Sequence, residues 1–209
     1  MEVRILRRLE AKNEADAAAV RDLLTAHKVR AINIMGSPGC GKTTLLEHVL
    51  PRLQPRFRCA VLEGDLFTAR DAERIAAINV PVIQLETQGS CHLDAALVHR
   101  GVCELPLGDL DFLFIENVGN LVCPANFDIG EAARLVVLSV TEGHDKPAKY
   151  PLLFARAHAI VIAKMDLLAH TNFDLPAAEA DIRKFNGDAP IFHYSTQADP
   201  GPLVDWLAG

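Results

Sequence analysis

The stretch Gly36-Ser37-Pro38-Gly39-Cys40-Gly41-Lys42-Thr43-Thr44 is the part of this chain most plainly suited to chemistry. It fits G-x-x-x-x-G-K-S/T, the phosphate-binding loop. Gly36, Gly39 and Gly41 permit backbone conformations that a Cβ forbids. The N–H groups so freed converge on phosphate oxygens. Lys42 supplies a mobile cation for the β- and γ-phosphates, and the Thr43 hydroxyl suits a Mg²⁺ ligand. A helix starting near Lys42 adds its positive end.

Acids with the right placement follow. Gly64-Asp65 and Asp71 come after the apolar run 58–63, and ligands of an open parallel sheet sit beyond the carboxyl ends of its strands. Asp65 and Asp71 are thus placed to meet Mg²⁺ or the attacking water; the alternative is that Thr68 and Asp71 only start the next helix. Asp111-Phe112-Leu113-Phe114-Ile115-Glu116 reads as a buried parallel strand ending in an acid, the Walker-B arrangement. Gly119, three residues on, can bring its N–H to the γ-phosphate.

Lys164-Met165-Asp166 follows the apolar run 159–163. A carboxylate there accepts two N–H bonds from the edge of guanine, whereas adenine leaves it unsatisfied. The Lys164 stem can lie over the base, and Ser195-Thr196 resembles the loop touching guanine from its other side. Ala163 stands where the guanine motif N-K-x-D has Asn, and a bare K-x-D also fits a surface helix start.

Cys91, His92 and Cys123 are soft and borderline ligands, suited to Zn²⁺ or Ni²⁺ rather than Mg²⁺. Neighbouring residues on a helix point apart, so Cys91 and His92 share an ion only at a loop-to-helix junction, where Gly89-Ser90 supplies a turn. On spacing alone, three unrelated side chains are the first reading and a shared metal the second. Cys59 and Cys103 read as structural.

The elements that must position these residues alternate. Seven apolar runs with strand character lie between helical patterns, which gives an α/β, three-layer P-loop NTPase: a mostly parallel sheet with helices on both faces. Residues 1–12 read as an N-terminal arm, and residues 13–209 as one GTPase domain whose leading helix starts at an Asn13 N-cap. Pro51 and Pro55 are expected to close the helix after the phosphate loop, and residues 141–151 to form a mobile polar loop. The chain has 209 residues, half of them apolar, and a net charge of −6. With no basic run it carries no nucleic-acid footprint. No apolar run approaches the ~20 residues that span a membrane, and residues 1–10 lack a signal-peptide core. A cytoplasmic location is expected, where five cysteines without a C-x-x-C pair read as thiols or metal ligands.

Together, the phosphate loop, Gly64-Asp65, Cys91-His92, Glu116-Asn117-Val118-Gly119-Asn120-Leu121-Val122-Cys123-Pro124 and Gly143-His144-Asp145-Lys146-Pro147-Ala148-Lys149-Tyr150-Pro151 closely resemble the hydrogenase-maturation nickel-insertion GTPases, the HypB family. The similarity runs from about Asn13 to the C-terminus. The resemblance implies a slow, Mg²⁺-dependent GTPase that cycles between GTP and GDP and forms a GTP-dependent homodimer. It also implies Cys91, His92 and Cys123 as Ni²⁺ or Zn²⁺ ligands near the dimer interface, and it reverses the spacing-only order of preference. Other hydrogenase maturation factors and the hydrogenase large subunit are the implied partners. No cysteine precedes Cys40, and His27 is the single histidine before it, so the N-terminal nickel motifs of many family members are not expected. The rival readings are a urease-type nickel GTPase, a P-loop small-molecule kinase and a non-catalytic nucleotide-binding scaffold. Cys123-Pro124-Ala125 lacks the Cys-Pro-His run of the urease-type family, and a kinase has no use for Cys91, His92 and Cys123.

Overall fold

Apolar side chains fill both faces of the central strands, as a parallel sheet between two helical layers requires. The computed structural model of the chain describes residues 2–65, 70–87 and 89–209, with side chains except those of residues 2–10 and 65. Thr68 and Gln88 lie outside the described residues. In chain order the elements are α1 (Glu2–Ala26), β1 (Arg30–Gly36), α2 (Lys42–Leu53), β2 (Cys59–Asp65), α3 (Arg70–Ala77), β3 (Val82–Glu86), α4 (Ala95–Cys103), β4 (Phe112–Glu116), α5 (Cys123–Asn126), β5 (Ala133–Ser139), α6 (Lys146–Lys149), α7 (Pro151–Ala155), β6 (Ala159–Ala163), α8 (Leu175–Phe185), β7 (Ile191–His193) and α9 (Gly201–Ala208). The strands form one sheet in the order β3-β2-β4-β1-β5-β6-β7. Every neighbouring pair is parallel, so the sheet is parallel throughout rather than mostly so.

Strand β1 divides the two layers. Ile32 and Ile34 pack with Leu45, Val49 and Leu203 from α2 and α9. On the other face Ala31 meets Val20 of α1 and Val98 of α4, and Met35 joins Phe154 and Ile182 of α7 and α8. Each fully buried side chain of this size contributes about 1.5–3 kcal/mol, so the strands are a firm base for the loops at their ends. The carboxyl ends of β1, β2, β4 and β6 all open on one edge of the sheet. The phosphate loop, Asp65, Glu116 and Lys164-Met165-Asp166 leave from that edge.

Three local expectations change. Helix α1 runs from Glu2 straight through Asn13. Asn13 caps a different helix: its side-chain oxygen accepts the Ala95 N–H at the start of α4 (3.0 Å), and its amide donates to the Asp128 carbonyl (2.8 Å). Pro51 sits inside α2, which continues to Leu53 because that side chain is buried in the core. The polar stretch expected to be mobile contains α6 and α7, each opened by a proline whose fixed φ suits a first helical turn. Asp145 and Lys149 pair across α6 at 2.5 Å, and the Lys146 ammonium lies 5.4 Å from the Tyr150 ring centre.

Candidate functional site

The phosphate loop leaves β1 at Gly36 and enters α2 at Lys42. Gly39 (φ 72°) and Gly41 (φ 105°) take the left-handed conformations that glycine alone adopts at low cost. Gly36 is forced differently: a Cβ there would stand 2.5 Å from the Val137 carbonyl oxygen and 2.6 Å from Cys40 Sγ. Lys42 is buried at the helix start, and Ser37 Oγ donates to Glu142 (2.5 Å). The Lys164 ammonium donates to the Gly39 carbonyl (2.7 Å), so its side chain reaches across to the phosphate loop.

A cavity of about 420 Å³ opens over the loop. Lys42, Thr43, Thr44, Glu63, Asp71, Glu116, Gly119 and Lys164 are among its lining residues. Thr43 Oγ1 donates to Glu116 Oε1 at 2.8 Å. The other Glu116 carboxylate oxygen is buried with no hydrogen-bond partner among the described residues. Burial pushes the Glu116 carboxyl up to about 7, against the opposing pull of Lys42 and Thr43. An orphaned carboxylate oxygen beside a threonine hydroxyl is the donor set a hard, oxygen-seeking cation fills. The residues present therefore fit Mg²⁺.

Asp65 ends β2 in register with Glu86 of β3, one residue beyond Gly64, which lines the cavity. Asp71 is in the first turn of α3 and also lines the cavity. Its carboxylate accepts from Arg74 (2.9 Å), which also donates to Glu47 (2.6 Å) and Thr44 Oγ1 (2.9 Å). Glu63 is an acid that sequence reasoning passed over. It is in register with Glu116 on the adjacent parallel strand, so both carboxyls leave the sheet on one face, and both are buried. The signal was present as an acid in an otherwise apolar strand. Glu63→Gln keeps the shape and removes the charge. It should raise the Mg²⁺ concentration for half-maximal turnover roughly tenfold, the scale on which outer-shell partners act. An unchanged Mg²⁺ requirement would leave Glu63 a purely structural residue.

A second cavity, of about 200 Å³, adjoins the loop and is lined by Cys40, Gly41, Thr44, Ala163, Lys164, Asp166, Tyr194 and Thr196. It brings Asp166 and Thr196 together; Ser195 is buried and does not line it. Tyr194, which sequence reasoning missed, pairs through its hydroxyl with His48 Nδ1 (3.1 Å). Burial pushes that hydroxyl up to about 12, so it stays protonated.

The cysteine cluster forms at the same end of the sheet. One ligating atom from each of Cys91, His92 and Cys123 lies within 4.8 Å of the others, and the two Sγ atoms are 3.0 Å apart. The mutual thiol contact holds Cys123 above its usual pKa, while burial lowers that of His92 and favours the neutral, ligating imidazole. His92 stacks on Phe127 with ring centres 4.2 Å apart. Cys40 and Cys59 are pushed by burial up to about 11 and about 12, so neither thiol ionises readily. Cys103, read as structural, is instead exposed.

Asparagines tie this cluster to the phosphate loop. The Asn120 N–H donates to the Gly36 carbonyl (3.0 Å), and its side-chain amide donates to the Cys91 carbonyl (3.3 Å). Its side-chain oxygen accepts the Val122 N–H beside Cys123 (2.9 Å). Asn117 Oδ1 accepts the Leu93 N–H (3.1 Å), one residue beyond His92. Leu93 in turn fills the space a Cβ on Gly64 would need, at 2.8 Å. A Cβ on Gly119 would meet Pro38 of the loop at 2.7 Å. Sequence marked Gly119 but gave Asn117 and Asn120 no role, because the partners that tie them to the loop and the cluster, Gly36, Cys91 and Leu93, are distant in the chain.

Residues 30–193 match the family model described as CobW/HypB/UreG, nucleotide-binding domain. The chain is 47% identical over 196 residues to hydrogenase maturation factor HypB of Escherichia coli K12, covering 94% of this chain and 67% of that protein. It is 40% identical over 210 residues to hydrogenase/urease maturation factor HypB of Helicobacter pylori 26695, covering 98% and 85%. The fold superimposes on the crystal structure of HypB from Helicobacter pylori in complex with nickel with a TM-score of 0.90 at 38% identity, covering 94% of each chain. The chain spans about two thirds of the length of several of these relatives. Among the described residues no helix is long and apolar enough to cross a membrane.

Proposed function

This chain belongs to the CobW/HypB/UreG family of nucleotide-binding domains, and on that premise we propose that it is a Mg²⁺-dependent GTP hydrolase that gates delivery of nickel to a nickel–iron hydrogenase during its maturation. The observation that carries the reading is Asn120, which hydrogen-bonds at once to the phosphate loop, to Cys91 and to the segment bearing Cys123. A small-molecule kinase or a scaffold has no need of that link. The relatives, a hydrogenase maturation factor and a HypB in complex with nickel, support the same direction.

In this reading the loop N–H groups and the positive end of α2 hold the β- and γ-phosphates, and the Lys42 ammonium stabilises the charge that develops on the transferring phosphoryl group. Mg²⁺ bound beside Thr43 and Glu116 would neutralise phosphate charge and the buried acids. Asp65 and Asp71 orient the attacking water from the cavity's rim. Cys91, His92 and Cys123 hold Ni²⁺ or Zn²⁺ as cargo with an open position, which a second chain of a GTP-dependent dimer fills. Other maturation factors and the hydrogenase large subunit would then be donor and acceptor. Urease is a second acceptor to consider, because a relative carries both names.

Base choice gives the direct test. Asp166 lines the smaller cavity beneath Ala163 and Lys164. Losing hydrogen bonds to a charged group costs on the order of 1.5–3 kcal/mol, or roughly 10- to 150-fold in affinity. GTP should therefore bind at least about tenfold more tightly than ATP, and Asp166→Ala should erase most of that difference. Ala163→Asn should keep or widen it. Calorimetry with equal GTP and ATP affinity in the unmutated protein would remove guanine from the proposal.

A further inference from the structure

The far end of α4 carries a second pair of soft ligands. Cys103 is the last residue of that helix and His99 precedes it by one turn, so both project from the same side. Cys103 Sγ lies 3.9 Å from His99 Nδ1 and 4.0 Å from Nε2, with the thiol exposed to solvent. An ion with bonds of about 2.3 Å to sulfur and about 2.0–2.1 Å to imidazole nitrogen spans sulfur–nitrogen separations from about 3.5 Å at a tetrahedral angle to about 4.4 Å when linear. The observed separations fall inside that range. One imidazole rotation presents either nitrogen.

The surroundings suit a cation of moderate affinity. The pair sits in a groove of about 360 Å³ whose walls include Leu85 and Leu97. The carbonyl end of α4 adds negative potential at Cys103. Arg100 and Glu104 line the same groove with opposite charges. We propose that His99 and Cys103 form a second, bidentate site for Zn²⁺ or Ni²⁺, completed by water and separate from the Cys91, His92 and Cys123 cluster. Helix α4, nine residues and about 13 Å long, stands between the two. Binding requires the thiolate, so it releases a proton and strengthens as pH rises.

The probe is Ni²⁺ alone, added to reduced, nucleotide-free protein and followed by the near-ultraviolet thiolate-to-nickel absorption. Cys91→Ser/Cys123→Ser protein should still develop that absorption, saturating at one ion per chain. Adding Cys103→Ser should remove it, and His99→Ala should weaken affinity by about tenfold or more, as loss of even an outer-shell partner does. The remaining thiols, Cys40 and Cys59, are buried, and circular dichroism checks that each variant keeps its fold. No absorption from Cys91→Ser/Cys123→Ser protein at millimolar Ni²⁺, or absorption that survives Cys103→Ser, overturns the site. Neither outcome touches the GTPase reading, which rests on turnover and base choice.

Discussion

Lys42→Ala should hydrolyse GTP on the order of 10²–10³-fold more slowly than the unmutated protein, the cost of deleting one preorganised charge-stabilising donor. Lys42 is the first residue of α2 and is buried in the cavity that also holds Glu63 and Glu116. Its ammonium has two partners to serve. In the free protein it offsets the buried acids, and it is the largest influence opposing the upward push of burial on Glu116. In the loaded protein it faces the phosphates. Alanine leaves the loop N–H groups and the helix end in place, so nucleotide affinity should fall less than turnover. An effect on kcat larger than on KM is the mark of a contact made chiefly in the transition state. Unchanged circular dichroism together with unchanged turnover would show that Lys42 has no catalytic role.

The positions of the phosphate loop, Glu116 and Lys164-Met165-Asp166 were legible because each depends on local rules: glycine at positive φ, an acid ending an apolar strand, a charged pair just beyond another. Asn120 was not legible. Its partners Gly36, which ends β1, and Cys91, which follows β3, reach it only once both strands are set in the sheet with β4. Asn13 failed for the same reason. Asn at a candidate helix start is a good cap by propensity, yet the helix ran through it and the side chain capped α4, 82 residues away in sequence. Glu63 was hidden by its strand, since one acid among apolar residues gains meaning only from the register that sets it beside Glu116. Residues 141–151 misled by composition: charged, proline-containing stretches suggest loops, but prolines at first-turn positions start two short helices here.

Cys123→Ser or Cys91→Ser should lower Ni²⁺ affinity at the cluster by about 100-fold or more, beyond the roughly 10- to 100-fold that outer-shell changes cost. Serine is near in shape but is a hard ligand where a soft thiolate served. The site has three protein donors, so losing one leaves two. Cys59→Ser should leave the cluster unaffected, because that thiol is buried in β2.

Asn120→Ala is the sharper variant, since it spares every ligand and cuts the link. A γ-phosphate that draws the Gly119 N–H toward it shifts Asn120 as well, and with Asn120 the Cys91 carbonyl and the Val122 N–H. Gly64 and Leu93 provide a parallel contact from the β2 end to His92. Nickel affinity should therefore differ between the GDP state and a non-hydrolysable GTP state, by the roughly 5- to 150-fold typical of coupled sites, and GTP affinity must shift by the same factor when nickel binds. With Asn120→Ala the two nickel affinities should converge while all three ligands remain. Chelator competition in both nucleotide states measures this directly. Equal affinities in the unmutated protein would leave the metal site standing and eliminate the switch; a difference that survives Asn120→Ala would move the coupling to the links that this variant spares, the Asn117–Leu93 bond and the Gly64–Leu93 contact among them.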